Sequence, residues 1–157
     1  MTVLHGGETV IKCDKRIVLR GEIDMTCAVC LRALTETKKI NKEIADKLCE
    51  VLDVLKKISR CEALEEICEF CGVFGMSCEE LREASNFPEK HLGKKHFVPS
   101  YDITEEVCAI NELRAQIRRC EREAVAVFEK CGMEWAKSIA VCLNRLSSAA
   151  YILMLKA

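Results

Sequence analysis

The chain has 157 residues, long enough for one domain with a substantial core and too short for two. Half of it is hydrophobic, 5% is aromatic, and 31% is charged at a formal net charge of −1, so no basic excess points to nucleic acid. No uninterrupted apolar run reaches membrane-spanning length, and residues 1–5 lack the basic and apolar regions of a secretory signal. The twelve cysteines are therefore expected as reduced thiols in a cytoplasmic protein. With two prolines and seven glycines to interrupt helices, the predicted class is all-α: a bundle of about five helices over residues 1–157, after a short irregular N-terminal segment.

Residues 1–20 show no helical period, and Val10-Ile11 and Ile17-Val18-Leu19 read as short extended pieces. His5-Gly6-Gly7-Glu8-Thr9 is a glycine-rich turn able to approach a phosphate, a pattern that more often marks a plain turn. A first helix is predicted from Gly21 to about Lys38, with Ile23, Cys27, Cys30, Leu31 and Leu34 on one side. Asn41 caps a second helix to about Arg60, whose Ile44, Leu48, Val51, Leu55 and Ile58 repeat at core-facing spacing. A third, shorter helix is predicted over Glu62–Cys71, stopping at Gly72. Ser77 with Glu80 makes a capping box for one further turn or two through Ala84. Asn86 to Ile103 reads as a long irregular segment of the kind that is usually functional or disordered, with His91 and His96 expected at its solvent face.

Asp102 with Glu105 is predicted to cap the next helix, which ends at Gly132. Along it, Ile110, Leu113, Ile117, Cys120, Ala124 and Phe128 form an apolar face, and Arg114, Arg118 and Glu121 line its edge. Glu112, Arg119 and Glu123 point the other way, toward water. Charges half-turned to a core persist where partners satisfy them, although helical salt bridges alone would also produce such a stripe. The last helix, about Met133 to Leu155, is apolar almost all round, which predicts burial on most sides and contact between subunits. Asn144, Ser147 and Tyr151 share one of its faces, and Asn144 needs hydrogen-bond partners, so it is structural or ligand-facing.

Two of these stretches carry a resemblance. Arg114 followed by Arg118-Arg119-Cys120-Glu121-Arg122 resembles the R-x-x-x-R-R-x-E-R helix of ATP:corrinoid adenosyltransferases, and Leu143-Asn144-Arg145-Leu146-Ser147 resembles the L-N-R-L-S signature of that family's final helix. The runs 75–101 and 149–154 are similar to its ethanolamine-utilisation branch. Arg20-Gly21-Glu22-Ile23-Asp24 resembles the family's G-x-x-D-E-L-N segment at Gly21 and Asp24, while Met25-Thr26-Cys27 replace its Glu, Leu and Asn. Phe97-Val98-Pro99 is similar, one residue short, to the apolar F-x-x-P loop that lies against the corrin. The family's longer T-G-D-x-G-x-T loop is missing; its triphosphate cradle is rebuilt from residues 5–9, Gly6 and Gly7 among them, with Lys12, or is partly lost.

The resemblance implies a homotrimer with active sites between subunits that moves the 5′-deoxyadenosyl group of ATP onto the cobalt of a reduced cobalamin, with Mg2+ on the leaving triphosphate. It implies that Arg118 faces the triphosphate, that Arg114 pairs with Asp24 of a neighbouring subunit, and that Glu121 holds the arginines or touches ATP. Asn144 would bind ATP, and Phe97 would take the corrinoid's lower axial position. A reductase and an adenosylcobalamin-dependent enzyme are the implied partners. The alternative is a non-catalytic corrinoid- or metal-binding bundle derived from that enzyme, which the altered N-terminus favours.

Cys27-x-x-Cys30 and Cys68-x-x-Cys71, with Cys61 and Cys78 nearby, match both a metal-ligand spacing and the spacing of two small core hydrophobes on a helix. The adjacent cysteine pair of the family's metal motif is absent, so packing is the expectation and no metal site is assigned. Cys49, Cys120, Cys131 and Cys142 read likewise as core residues. A carboxylate-bridged di-iron bundle is set aside because no repeated Glu-x-x-His spacing occurs.

Overall fold

The computed structural model describes residues 1–157. Two strands, β1 (Thr2–Val3) and β2 (Thr9–Val10), pair antiparallel around a short 3-10 turn at His5–Gly7. Six helices follow: α1 (Lys15–Thr37), α2 (Lys42–Leu64), α3 (Cys78–Asn86), α4 (Pro88–Leu92), α5 (Glu105–Cys131) and α6 (Glu134–Lys156). The all-α bundle is as expected, with four long helices and two short ones.

Several boundaries differ from the sequence reading. Ile17-Val18-Leu19 is helical, because Asp14 accepts from the Arg16 backbone N–H and starts α1 one and a half turns early. Arg16 is buried and binds both carboxylate oxygens of Glu8, at 2.7 and 2.9 Å, so the N-terminal hairpin is pinned to the first turn of α1. Leu31, expected inside, is half exposed; Ala33 and Thr37 take the inner positions.

Asn41 caps α2 as predicted, accepting from the Ile44 N–H, and the five expected core residues are buried. The predicted third helix over Glu62–Cys71 does not form. Instead α2 runs on to Leu64, Glu65 turns left-handed, and the chain leaves as an extended segment. That segment is held by α6: the Cys68 N–H donates to Ser138 Oγ, and the Cys142 thiol donates to the Cys68 carbonyl. Tertiary bonding has overridden local propensity. Gly72 then makes the tight approach to Met76, whose carbonyl oxygen would lie 2.2 Å from an added Cβ.

The Ser77–Glu80 capping box is present. The segment after Asn86 contains α4, begun by Pro88 at its first position. Thr104 caps α5 in place of Asp102, because its hydroxyl, two residues nearer the helix, accepts from the Val107 N–H. Gly132 closes α5 in the left-handed conformation.

One cluster of 29 buried residues joins α1, α2, α5 and α6. Burial of the α6 residues Ile139, Leu143, Leu146, Ala150 and Leu153 is complete. By length and composition α6 is long and apolar enough to cross a membrane, an 18-residue window of it having mean hydropathy 1.5, but 61% of that window is buried within the chain, as in the core helix of a bundle. Lys137, Asn144 and Arg145 break its apolar run yet leave the average high. Its apolar surface is spent on α5, α2 and α3 within the chain, so the apolarity of α6 does not by itself call for a second subunit. Of the single helical cysteines, Cys120 and Cys142 are buried, whereas Cys49 and Cys131 are exposed, contrary to the core reading.

Candidate active site

The residues on the outer edge of α5 divide into two groups. Toward α1, Arg119 pairs with Glu22 at 2.8 Å, Glu112 pairs with Arg32, and Glu123 accepts from Lys15 at 3.3 Å. These three were expected in open water; they are partly exposed but serve as α1–α5 bridges. On the other edge, Arg114 and Arg118 lie one turn apart on the wall of a cavity of about 210 Å³.

That cavity is built by four pieces of chain. α3 supplies Ser85 and Asn86, the segment before α5 supplies His96, α5 supplies the two arginines, and α6 supplies Ser147, Ser148 and Tyr151. No carboxylate lines it. Arg118 makes no ion pair or hydrogen bond within the chain; Arg114 bonds only Asn111 Oδ1, at 3.2 Å, and lies 5.8 Å over the Tyr151 ring. Burial, and then the Arg118 charge, pull the Arg114 guanidinium below its ordinary value. Two like charges, one half-buried, facing hydroxyls and an amide without a counter-ion describe an anion site. The volume suits a phosphate chain and is smaller than the ~300 Å³ at which whole-ligand pockets begin.

Next along α5, Glu121 accepts from Asn144 Nδ2 at 2.9 Å, joining the two recognised helices through the residues singled out on each. Asn144 thus has the partner its half-buried position demanded. Asn144→Asp sets two carboxylates against each other. It should cost about 1.5 kcal/mol at pH 7 by thermal denaturation, with the deficit shrinking toward pH 4 as the repelling pair protonates. An equal deficit at both pH values would count against that contact.

Phe97 is half-buried and packs on the core, and its N–H donates to Tyr151 Oη at 3.0 Å. The other proposed contacts lie apart from the cavity. Gly6 and Gly7 sit in left-handed backbone with open space around them, and Lys12 is exposed; none lines the arginine cavity. Asp24 is exposed on α1 and makes no bond with Arg114 of its own chain. His96, expected in solvent, is exposed but bonds Tyr151 through Nδ1 at 3.1 Å. Ser148 carried no signal in the sequence; Ser85, Asn86 and Tyr151 fell in runs similar to the family without being singled out there, and Ser147 closed the L-N-R-L-S signature and, with Tyr151, shared the Asn144 face.

Cys30, Cys61, Cys68, Cys120 and Cys142 are buried in the packing, and the cysteines are not gathered into a ligand set. Cys61 and Cys78 donate to the carbonyls of Ile67 and Phe70. Burial pushes the Cys30 and Cys120 thiols up to about 12. No group of three or more His, Cys, Asp or Glu side chains is placed to hold a metal ion.

Comparison with known proteins agrees with the two motifs. The cobalamin adenosyltransferase family model matches residues 1–157. The corrinoid adenosyltransferase EutT of Escherichia coli K12 is 30% identical over 156 residues, as is that of Escherichia coli O6:H1. The alignment covers 99% of this chain but 57% of each relative, so the chain spans little more than half their length. No solved structure matches the chain. The match of that family model over the whole length, on a chain whose two motif helices meet through the Glu121–Asn144 bond, places this chain in the cobalamin adenosyltransferase family.

Proposed function

We propose that the chain transfers the 5′-deoxyadenosyl group of ATP to the cobalt of cob(I)alamin. The Co(I) electron pair attacks C5′, the C5′–O bond breaks, and its electron pair leaves on triphosphate. The observation that carries this reading is the pair of arginines without carboxylate partners facing one small cavity of hydrogen-bonding groups. Because cobalt is the nucleophile, the protein must align C5′, neutralise the leaving group and exclude water. Arg118 is assigned to the triphosphate, Asn144 to ATP, Glu121 to holding Asn144 beside the arginines, and Phe97 to the corrinoid's lower face. Magnesium arrives on the triphosphate; Mg2+ keeps much of its water and binds through phosphates, so it needs no protein cage.

The cavity is too small for a nucleotide and a corrin together, which supports a site completed by another copy in a homotrimer. In that assembly Asp24 of one copy supplies the carboxylate that Arg114 of the next lacks, and the turn at Gly6, Gly7 and Lys12 reaches the phosphates of a neighbouring site. The free thiols fit a cytoplasmic setting with a reductase upstream and an adenosylcobalamin-dependent enzyme downstream.

The separation of that turn from the arginines within one chain favours the rival reading, a corrinoid-binding bundle without turnover. Mixing protein, ATP, magnesium and chemically reduced cobalamin decides between them. The adenosylcobalamin spectrum is the expected result; corrinoid binding without it would overturn the transferase reading.

A further inference from the structure

The segment 95–103, which carries Phe97, takes part in no backbone–backbone hydrogen bond. Val98 is 73% exposed and Tyr101 fully so, and the Asp102 N–H bonds only locally, to Ser100. Its hydrogen bonds to the bundle converge on one atom. Tyr151 Oη accepts from the Phe97 N–H at 3.0 Å and lies 3.1 Å from His96 Nδ1. Because the oxygen accepts from the amide, the phenol proton is free to go to Nδ1 of a neutral His96, with the ring proton on Nε2. The hydroxyl then both accepts and donates, one bond to each neighbour. Meanwhile the Tyr151 ring lies under Arg114 and, with His96, lines the arginine cavity.

We infer that Tyr151 is a positioning residue, whose hydroxyl holds the Phe97 segment in register with the arginine cavity, so that the apolar lid and the anion site meet substrate as one surface. This role rests on the adenosyl-transfer reading. Without the hydroxyl, Phe97 keeps its apolar contact but its backbone loses the bond that fixes direction. A single side-chain to backbone bond is a small anchor, which suits a segment that must admit a corrinoid and then settle against it. Tyr151 touches no reacting atom in this scheme; it acts through Phe97.

Tyr151→Phe removes the hydroxyl and keeps the ring beneath Arg114, so Tm should stay near wild type. Amide exchange at Phe97 should quicken about fivefold, the worth of one hydrogen bond. Turnover of Co(II)alamin with reduced flavin, which depends on Phe97 at the lower face, should fall about tenfold, and turnover of chemically pre-reduced Co(I) less than threefold. His96→Asn, which returns an acceptor near the Nδ1 position, should retain more of the Co(II) rate than His96→Ala. An active wild type with unchanged Phe97 exchange, or with equal rate losses on both cobalt states, would overturn the role of Tyr151. A wild type inactive on both cobalt states would overturn the transferase reading, and this role with it, whatever the exchange showed.

Discussion

Arg118→Ala should lower adenosyl transfer about a hundredfold or more while the protein stays folded. The side chain is exposed and makes no bond within the chain, so its removal forfeits no packing or ion pair. What is lost is a charge-assisted contact to a leaving triphosphate, worth roughly 2–4 kcal/mol in the transition state. Arg118→Lys keeps a charge but loses the planar fork, and should recover only part of the rate. Arg114→Ala should behave differently. Its guanidinium covers the Tyr151 ring, so the substitution disturbs the cavity wall, and any neighbouring carboxylate paired with it, as well as the anion contact. Near-normal rate and ATP affinity in Arg118→Ala would reduce the arginine pair to a solvated surface, and the transferase reading would fall with it.

The second large effect is on stability and lies away from the cavity. Arg20 Nε sits 2.9 and 3.2 Å from the two oxygens of Glu62, stapling α1 to the last turn of α2. The ends of this staple are unequal: the Glu62 side chain is 3% exposed and that of Arg20 33%. Burial pushes the Glu62 carboxyl up, with Arg20 pulling against it. Arg20→Met strands a carboxylate inside, at a cost of roughly 3 kcal/mol near pH 7, which for a chain of this size lowers Tm by about 6–12 °C. A carboxyl raised above its unfolded value contributes stability below that unfolded value and loses it as pH rises through the folded one. The deficit should therefore shrink as pH falls from 7 toward 4.5, and Glu62→Gln should relieve much of it in an Arg20→Met background. A deficit independent of pH would show that Glu62 is not the group left stranded.

The legible parts of this chain were those where one helix face decides everything. Ile44, Leu48, Val51, Leu55 and Ile58 announce α2, and Ile110 through Ala124 announce α5, because period and burial coincide. The start of α1 was misread because β-branched Ile17 and Val18 look extended, and the cap that overrules them is a single Asp14. The region after Leu64 was misread for the opposite reason. Its composition permits a helix, and what forbids one is a set of bonds to Ser138 and Cys142, about seventy residues away. The site divides the same way. Arg114, Arg118 and Glu121 follow from spacing on one helix, and Asn144 from its place on another. Ser85, Asn86 and His96 enter only because α3 and the Phe97 segment fold over that edge, a juxtaposition no local pattern encodes.

The α1–α5 bridges carry a consequence for how the chain comes off the ribosome. Lys15 meets Glu123 across 108 positions, and α6, which fills the centre, is complete only when Lys156 has emerged. Until then α1 and α2, even with α5 laid against α1, lack the helix that packs on both α2 and α5, so Leu48 and Leu55 are incompletely covered. Closure is thus a late, long-range event, slow by the entropy of the intervening loop and exposed to aggregation while it is pending. Overexpression should reward slower synthesis or a holdase chaperone, and fragments ending before α6 should accumulate in the insoluble fraction.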